Sequence, residues 1–214
     1  MAARAIAPAL NLFAVAALAA ALGPAPARAE NHFLAEANGG LATPLSSEGE
    51  VGLGAGLGAT FGVGGRIKGF SPAWYLVGRL GYATATETGP GRFGTAEIDR
   101  GAWEAAVGGR VYFNLTERLR VLFELDFGEV WETSTVSRAH QPDLVLDANP
   151  AALFMQSGLQ YRLTDHFSLG AGADLGWYLW SSQTRDLAAT AAGIDSTDST
   201  RGRFRFGLTT TAHF

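Results

Sequence analysis

Apolar and polar residues alternate with a period of two along most of the chain after residue 32, most plainly at its C-terminal end. There Phe204, Phe206, Leu208, Thr210, Ala212 and Phe214 fall on one face, and Arg205, Gly207, Thr209, Thr211 and His213 on the other. Successive side chains of an extended strand point to opposite sides, so this pattern predicts a strand with one apolar face. The same alternation recurs in eight segments, 33–41, 51–63, 73–86, 102–113, 119–132, 151–163, 167–182 and 203–214. Their apolar faces run Val51, Leu53, Ala55, Leu57, Ala59, Phe61 in one and Leu119, Val121, Phe123, Leu125, Phe127, Trp131 in another. Each is long enough to cross a bilayer as a tilted strand of roughly 9–11 residues.

The connections between segments alternate in length. Residues 114–118 and 164–166 read as tight turns and 64–72 as a longer glycine-rich one, whereas 87–101, 133–150 and 183–202 read as long loops, with only 44–50 short. Short turns at one end and long loops at the other are the asymmetry of a transmembrane barrel. The predicted fold is all-β: an eight-stranded antiparallel up-and-down transmembrane β-barrel.

A soluble barrel would turn the apolar face inward, so the choice of face needs its own argument. Eight strands enclose room for little more than their own side chains or one small ligand. The apolar face carries Trp74, Trp103, Phe113, Phe123, Phe127, Trp131, Phe167, Trp177, Phe204 and Phe206, too bulky for that interior. The opposite face carries Gly52, Gly54, Gly56, Gly58 and Gly62 in one segment and Gly170, Gly172 and Gly176 in another, which suits a crowded lumen. Aromatics also gather near both segment ends, as Tyr82, Trp103, Trp131, Trp177 and Phe204 do at the loop end, where amphipathic rings would meet two membrane interfaces.

Residues 1–29 read as a secretory signal peptide: Arg4, an apolar run over 12–22, then Gly23, Pro24 and Pro26 before Ala27-Arg28-Ala29. The run is about half the roughly 20 residues of a membrane-spanning helix. Cleavage is expected after Ala29, leaving the barrel domain at 30–214. Two of the 16 basic residues, Arg4 and Arg28, fall in the leader, leaving 14 against 20 acidic ones and a net charge of −6. That balance argues against a nucleic-acid partner. The chain has no cysteine, which excludes disulfides, thiol chemistry and Cys-type metal sites.

The eight-strand plan, the Ala-x-Ala leader and the terminal Phe214 together resemble the OmpA-type and OmpX-type small barrels of Gram-negative outer membranes, with OmpW as a cousin. The resemblance implies an outer-membrane location, contact with lipid and lipopolysaccharide, and a monomeric barrel. It also implies an assembly machinery that reads the last strand, here Phe206, Leu208, Thr210, Ala212 and Phe214. The OmpA family continues into a peptidoglycan-binding domain. The chain stops at Phe214, so no cell-wall tether is expected.

The predicted lumen face carries the concentrated polar chemistry: Glu36, Glu104, Glu124, Asp126 and Asp174 with Arg79, Arg110, Arg120, Arg162 and Arg205, beside Gln156 and Gln160. In a narrow space these charges are expected to neutralise one another, because an unpaired charge there costs several kcal/mol. Folding the hairpin around 114–118 sets Arg110 opposite Glu124, and with that pair isolated an exchange of the two charges would be tolerated.

No catalytic residue, metal site or cofactor is expected. Lipid A deacylase barrels use a His/Ser motif on the lipid-facing wall, whereas here His32, His166 and His213 lie at the short-turn end and His140 in a loop. Asp195 and Asp198 lack a glycine-spaced ligand series for Ca²⁺, and Gly56-x-Gly58 precedes no helix and forms no phosphate cradle. Two functions remain: a scaffold with an occluded lumen whose loops serve surface integrity, adhesion or partner binding, and a narrow channel or small-solute transport barrel. Charge balance and side-chain volume favour the first.

Overall fold

The computed structural model describes residues 32–46, 56–69, 72–91, 94–138, 141–179, 191 and 201–214. The leader, residues 51–55, His140, Asp195, Asp198 and most of 183–202 lie outside the described residues. The elements are β1 (Phe33–Ser46), β2 (Gly56–Ile67), β3 (Ala73–Gly91), β4 (Gly94–Asn114), β5 (Leu119–Arg138), β6 (Leu144–Ala148), β7 (Ala151–Arg162), β8 (Phe167–Leu179) and β9 (Arg201–His213). Neighbours in sequence pair antiparallel, and β9 closes the ring on β1 from Leu34↔His213 to Ser46↔Arg201.

β6 is not a ninth wall. β5 pairs with β6 at Glu132↔Ala148 and with β7 at Glu129↔Ala151, which is one uninterrupted register. Between them stand Asn149 and Pro150. Proline has no N–H to give the ladder, but its carbonyl still accepts from the backbone of Val130 at 3.0 Å. β6 and β7 thus form one wall of an eight-stranded barrel, broken at Pro150.

Two of the three expected long loops are largely strand. β3, β4 and β5 are 19, 21 and 20 residues long, about twice the roughly 9–11 that cross a bilayer. Residues 87–91 and 94–101 pair as a hairpin up to Gly91↔Gly94, with Gly94 at φ 110°. Within 133–150, β5 continues to Arg138 and β6 returns beside it. The upper parts of β3, β4, β5 and β6 form a β-wing beyond the predicted membrane band. Both of its faces carry polar residues, so it lacks the alternation that a lipid-facing strand must show. Residues 64–67, read as turn, also continue β2.

The tight turns share one construction. Leu115 and Thr116 donate their backbone N–H to Leu119 O, and Thr116 Oγ1 accepts from Leu119 N at 2.9 Å. Leu163 and Thr164 repeat this with Phe167 O, and Thr164 Oγ1 accepts from His166 N at 3.2 Å.

The barrel is inverted relative to a soluble protein. Leu125, Phe127, Phe206 and Leu208 are each more than half exposed on the outside, while Arg110, Glu104 and Asp126 are at most 2% exposed inside. Val111, on the predicted outer face, is covered, because Trp74 and Phe123 flank it in the register. The interior is less uniformly small and polar than the glycine pattern implies. Leu34, Tyr75, Val77, Tyr112 and Leu122 form one buried cluster, and Ala102, Val130, Ala152, Phe154 and Tyr178 a second. A third, Ala96, Ile98 and Val136, lies inside the wing and is covered by Leu146 and by Ala191 from the last connection.

Candidate functional site

Alternation sends every second side chain of each wall inward, so the lumen collects six buried arginines, Arg79, Arg100, Arg110, Arg120, Arg203 and Arg205. Six buried carboxylates, Glu36, Glu104, Glu124, Asp126, Glu132 and Asp174, face them. Equal numbers matter here, because each charge removed from water requires a partner close by.

Towards the short turns, Arg120 on β5 donates to Gln160 Oε1 through Nη2 at 2.7 Å and Nε at 3.1 Å, and to Ser168 Oγ at 3.1 Å. Its Nη2 also contacts His213 Nε2, and its guanidinium lies 4.0 Å from the Tyr112 ring centroid. Gln160 passes the network on, donating to Thr211 Oγ1 at 2.9 Å.

Above this, Arg110 on β4 is a hub. It forms a two-point contact with Glu36 on β1, Nη1 to Oε2 and Nη2 to Oε1, the latter at 2.7 Å. Its Nε donates to Glu124 Oε2 on β5, and Nη1 also donates to the Tyr112 hydroxyl at 3.0 Å. Glu36 accepts further hydrogen bonds from Asn38 at 2.8 Å and Thr211 at 3.1 Å.

The next layer crosses the full diameter. Around the ring β3 stands opposite β8, and β4 opposite β9. Arg79 on β3 reaches Asp174 on β8 at 3.5 Å and Asp126 on β5 at 3.2 Å, with its guanidinium 4.3 Å from the Phe154 ring centroid. Arg203 on β9 pairs with Glu104 on β4. Asp174 gathers three guanidiniums, Arg205 at 2.6 Å, Arg203 at 3.2 Å and Arg79. Higher still, Arg100 meets Glu132 and Ser134, both at 3.2 Å.

The predicted lumen charges thus converge, Arg120 through hydrogen bonds to Gln160 and Ser168 rather than through a carboxylate, apart from Arg162. It stands half-buried at the short-turn end and joins none of these buried ion pairs among the described residues. Sequence reasoning missed Arg203, Glu132 and Arg100. Parity alone identifies the first two, since Arg203 matches Arg205 and Glu132 matches Glu124; Arg100 fell in a stretch read as loop. Along β9, Phe206 and Leu208 face outward and exposed, Thr210 is half-buried, and Ala212 is covered between Ala35 and Phe167. The exposed Phe214 ends the ring by donating its N–H to Phe33 O at 2.9 Å and accepting from His32 and Phe33.

The wing is ordered by side chains as well as by its ladder. Thr86 donates to Asp99 at 2.6 Å, Thr133 to Asp147 at 2.8 Å, and Arg138 to the carbonyl of Ala191 at 2.9 Å. Its outward face presents Thr86, Thr88, Glu97, Asp99, Thr133 and Asp147, all exposed.

The sequence matches no protein-family model and no curated protein. Solved structures do share the fold. Neisserial surface protein A matches with a TM-score of 0.54 at 14% identity, covering 85% of this chain and 97% of that one. Ail, the attachment invasion locus protein of Yersinia pestis, matches with a TM-score of 0.51 at 13% identity over 87% of this chain and 100% of its own. The outer membrane protease OmpT from Escherichia coli matches with a TM-score of 0.50 at 6% identity over 86% and 97%. The fold is that of the small outer-membrane barrels, with eight strands closing the ring here.

Proposed function

We propose that this chain is an outer-membrane scaffold whose lumen is closed by its own ion pairs and whose biological contacts are made by the β-wing. The carrying observation is the pair of diametric links, Arg79 to Asp174 and Arg203 to Glu104. A side chain that crosses the lumen and is held at its far end occupies the path a solute would take. Opening that path would separate buried charges, which costs several kcal/mol for each ion. The shared fold with a protein named for attachment and invasion supports a surface role.

The wing's acidic, threonine-rich outer face favours a basic or hydrogen-bonding partner over a polyanionic one. Export would remove residues 1–29, and the outward apolar band would sit in lipid, with lipopolysaccharide around the wing. Reading the chain as a scaffold rather than an enzyme follows from the use of its buried carboxylates in ion pairs.

Purified protein reconstituted in planar bilayers should carry little steady current. Replacing 86–99 and 133–147 by short turns should leave the barrel folded and abolish surface binding. Stable, solute-selective current through the unmodified protein would favour the transport barrel instead, with Arg79, Arg110, Glu124 and Asp126 lining the pore.

A further inference from the structure

The charges of the lumen do not balance at its short-turn mouth. Of the six buried arginines, five pair with a carboxylate and, among the described residues, Arg120 does not. Its Nε and Nη2 are taken up by Gln160, Ser168 and His213, and Nη1 makes no hydrogen bond among the described residues. Glu36 is the inward carboxylate nearest this mouth, and Gln160 stands between the two. The Gln160 Oε1 accepts from Arg120, while its Nε2 donates to Thr211 and to Glu36. A buried guanidinium without a counter-charge is costly, and its natural explanation is a partner.

The neighbours of Arg120 sharpen the imbalance. Arg162, the next inward position on β7 after Gln160, is the cross-strand partner of Ser168. It is half-buried, and among the described residues no hydrogen bond or ion pair holds its side chain. It lies close enough to Arg120, His213 and Tyr75 to act on each electrostatically, and Arg66 acts on the same Tyr75 from β2. Ser168 therefore stands between two guanidiniums, bonded to Arg120 at 3.1 Å and beside Arg162 in the register. Its oxygen accepts from Arg120, which leaves its own hydrogen to donate. The acids of this end, Glu117, Asp165 and the terminal carboxylate, belong to the turns and to the β1–β9 seam, with Glu117 and Asp165 exposed. The inward face of the mouth is thus cationic around one hydroxyl donor.

We infer that the short-turn mouth of the lumen binds one small phosphate-class oxyanion, held between the Arg120 and Arg162 guanidiniums with the Ser168 hydroxyl donating to it. Charge decides the class: a phosphate group carries about −1.5 to −2 near neutral pH, enough to offset two guanidiniums, where a carboxylate offsets one. Geometry agrees, because the planar fork of arginine matches the several acceptor oxygens of a phosphate. Size follows from the barrel, since eight strands leave room for one small ligand. The ion pairs from Arg110 upward lie behind the site, so the ligand enters and leaves by the mouth it occupies, which faces the periplasm in barrels with short turns on that side. Free inorganic phosphate and the end of a small phosphomonoester share this chemistry.

The test uses the mature chain, folded in uncharged detergent as judged by heat-modifiable gel mobility, and titration calorimetry at constant ionic strength. Inorganic phosphate, glycerol phosphate and acetate are the probes. Wild type should bind one phosphate group per barrel and prefer it to acetate by about tenfold, the size expected of one more charge-assisted hydrogen bond. Arg162→Gln should weaken phosphate binding by about the same factor. Without phosphate it should raise the unfolding temperature, because a like charge leaves the mouth; a purely structural arginine would lower it. Ser168→Ala should weaken binding by a smaller factor. Arg118→Gln, on the exposed neighbouring turn, should leave the affinity unchanged, and a loss equal to that of Arg162→Gln would reduce the effect to the charge of the rim and overturn the site. Binding of inorganic phosphate with glycerol phosphate excluded assigns the free ion, and tighter binding of glycerol phosphate assigns the monoester. No saturable binding of either by wild type, or equal affinity for acetate, overturns the proposal.

Discussion

Arg110 on β4 and Glu36 on β1 meet across the lumen, Nη2 to Oε1 at 2.7 Å, although 74 positions separate them in sequence. Glu124 holds the same guanidinium from the neighbouring strand. This third partner changes the expectation drawn from the hairpin alone. Arg110→Ala takes from Glu36 its cation and leaves Glu124 only the more distant Arg79 at 3.9 Å, and should cost at least the roughly 3–5 kcal/mol of a broken buried pair. Exchanging the charges, Arg110→Glu with Glu124→Arg, should not restore stability, because the new glutamate faces Glu36. Adding Glu36→Gln to the exchange should recover part of the loss. Urea midpoints in vesicles measure all three, and wild-type stability in the double exchange would refute the hub.

The outward face predicts a contrast by location. Leu125 is 53% exposed at mid-wall, and Leu125→Arg should cost roughly 2–4 kcal/mol in a bilayer. Thr95, exposed in the wing, should accept Thr95→Arg at about no cost. Equal refolding of both variants into vesicles would mean that lipid touches a different face.

Neighbouring glycines on β4 should respond with opposite signs. A Cβ on inward-facing Gly108 would stand 2.1 Å from the carbonyl oxygen of Leu125, a backbone atom that cannot turn away, whereas Gly109 has nothing within 4 Å. Gly108→Ala should destabilise by about 1–3 kcal/mol through overpacking. Gly109→Ala should gain roughly 0.5–1 kcal/mol, because alanine loses less backbone freedom in a strand. Thermal unfolding followed by gel mobility separates the two.

Deleting Phe214 removes three backbone hydrogen bonds that complete the β9–β1 seam, to His32, Phe33 and back. The loss should be modest when protein refolds in detergent. It should be much larger in cells if the final strand is what the assembly machinery reads. Comparing refolding yield with outer-membrane yield tests that difference, and equal losses in both would assign Phe214 a seam role alone.

Period-two alternation made the eight walls and their lipid face readable, because lipid forces one face of every crossing strand to be apolar. Where that force ends, so does the signal. Thr86, Asp99 and Thr135 share one row of the wing, and nothing in their polarity distinguishes strand from loop. Arg110 with Glu124 could be foreseen because a tight turn sets their register. Arg79 with Asp174 could not, since contacts across the lumen depend on how far the strands stagger on closing, which no local spacing encodes.

The pairing of β3 with β4 runs from Ala73↔Tyr112 to Gly91↔Gly94 without a slipped residue, and that of β4 with β5 from Asn114↔Arg120 to Ala96↔Arg138. A single-residue insertion within either ladder would turn Ile98 or Val136 outward and the threonines inward. Length in the wing can therefore be inherited only as two residues on each arm, because one on each would keep the pairing and still reverse the faces. Natural or engineered variants that survive should differ in reach by even numbers of rungs, keeping the partner-facing row intact while moving it nearer to or farther from the cell.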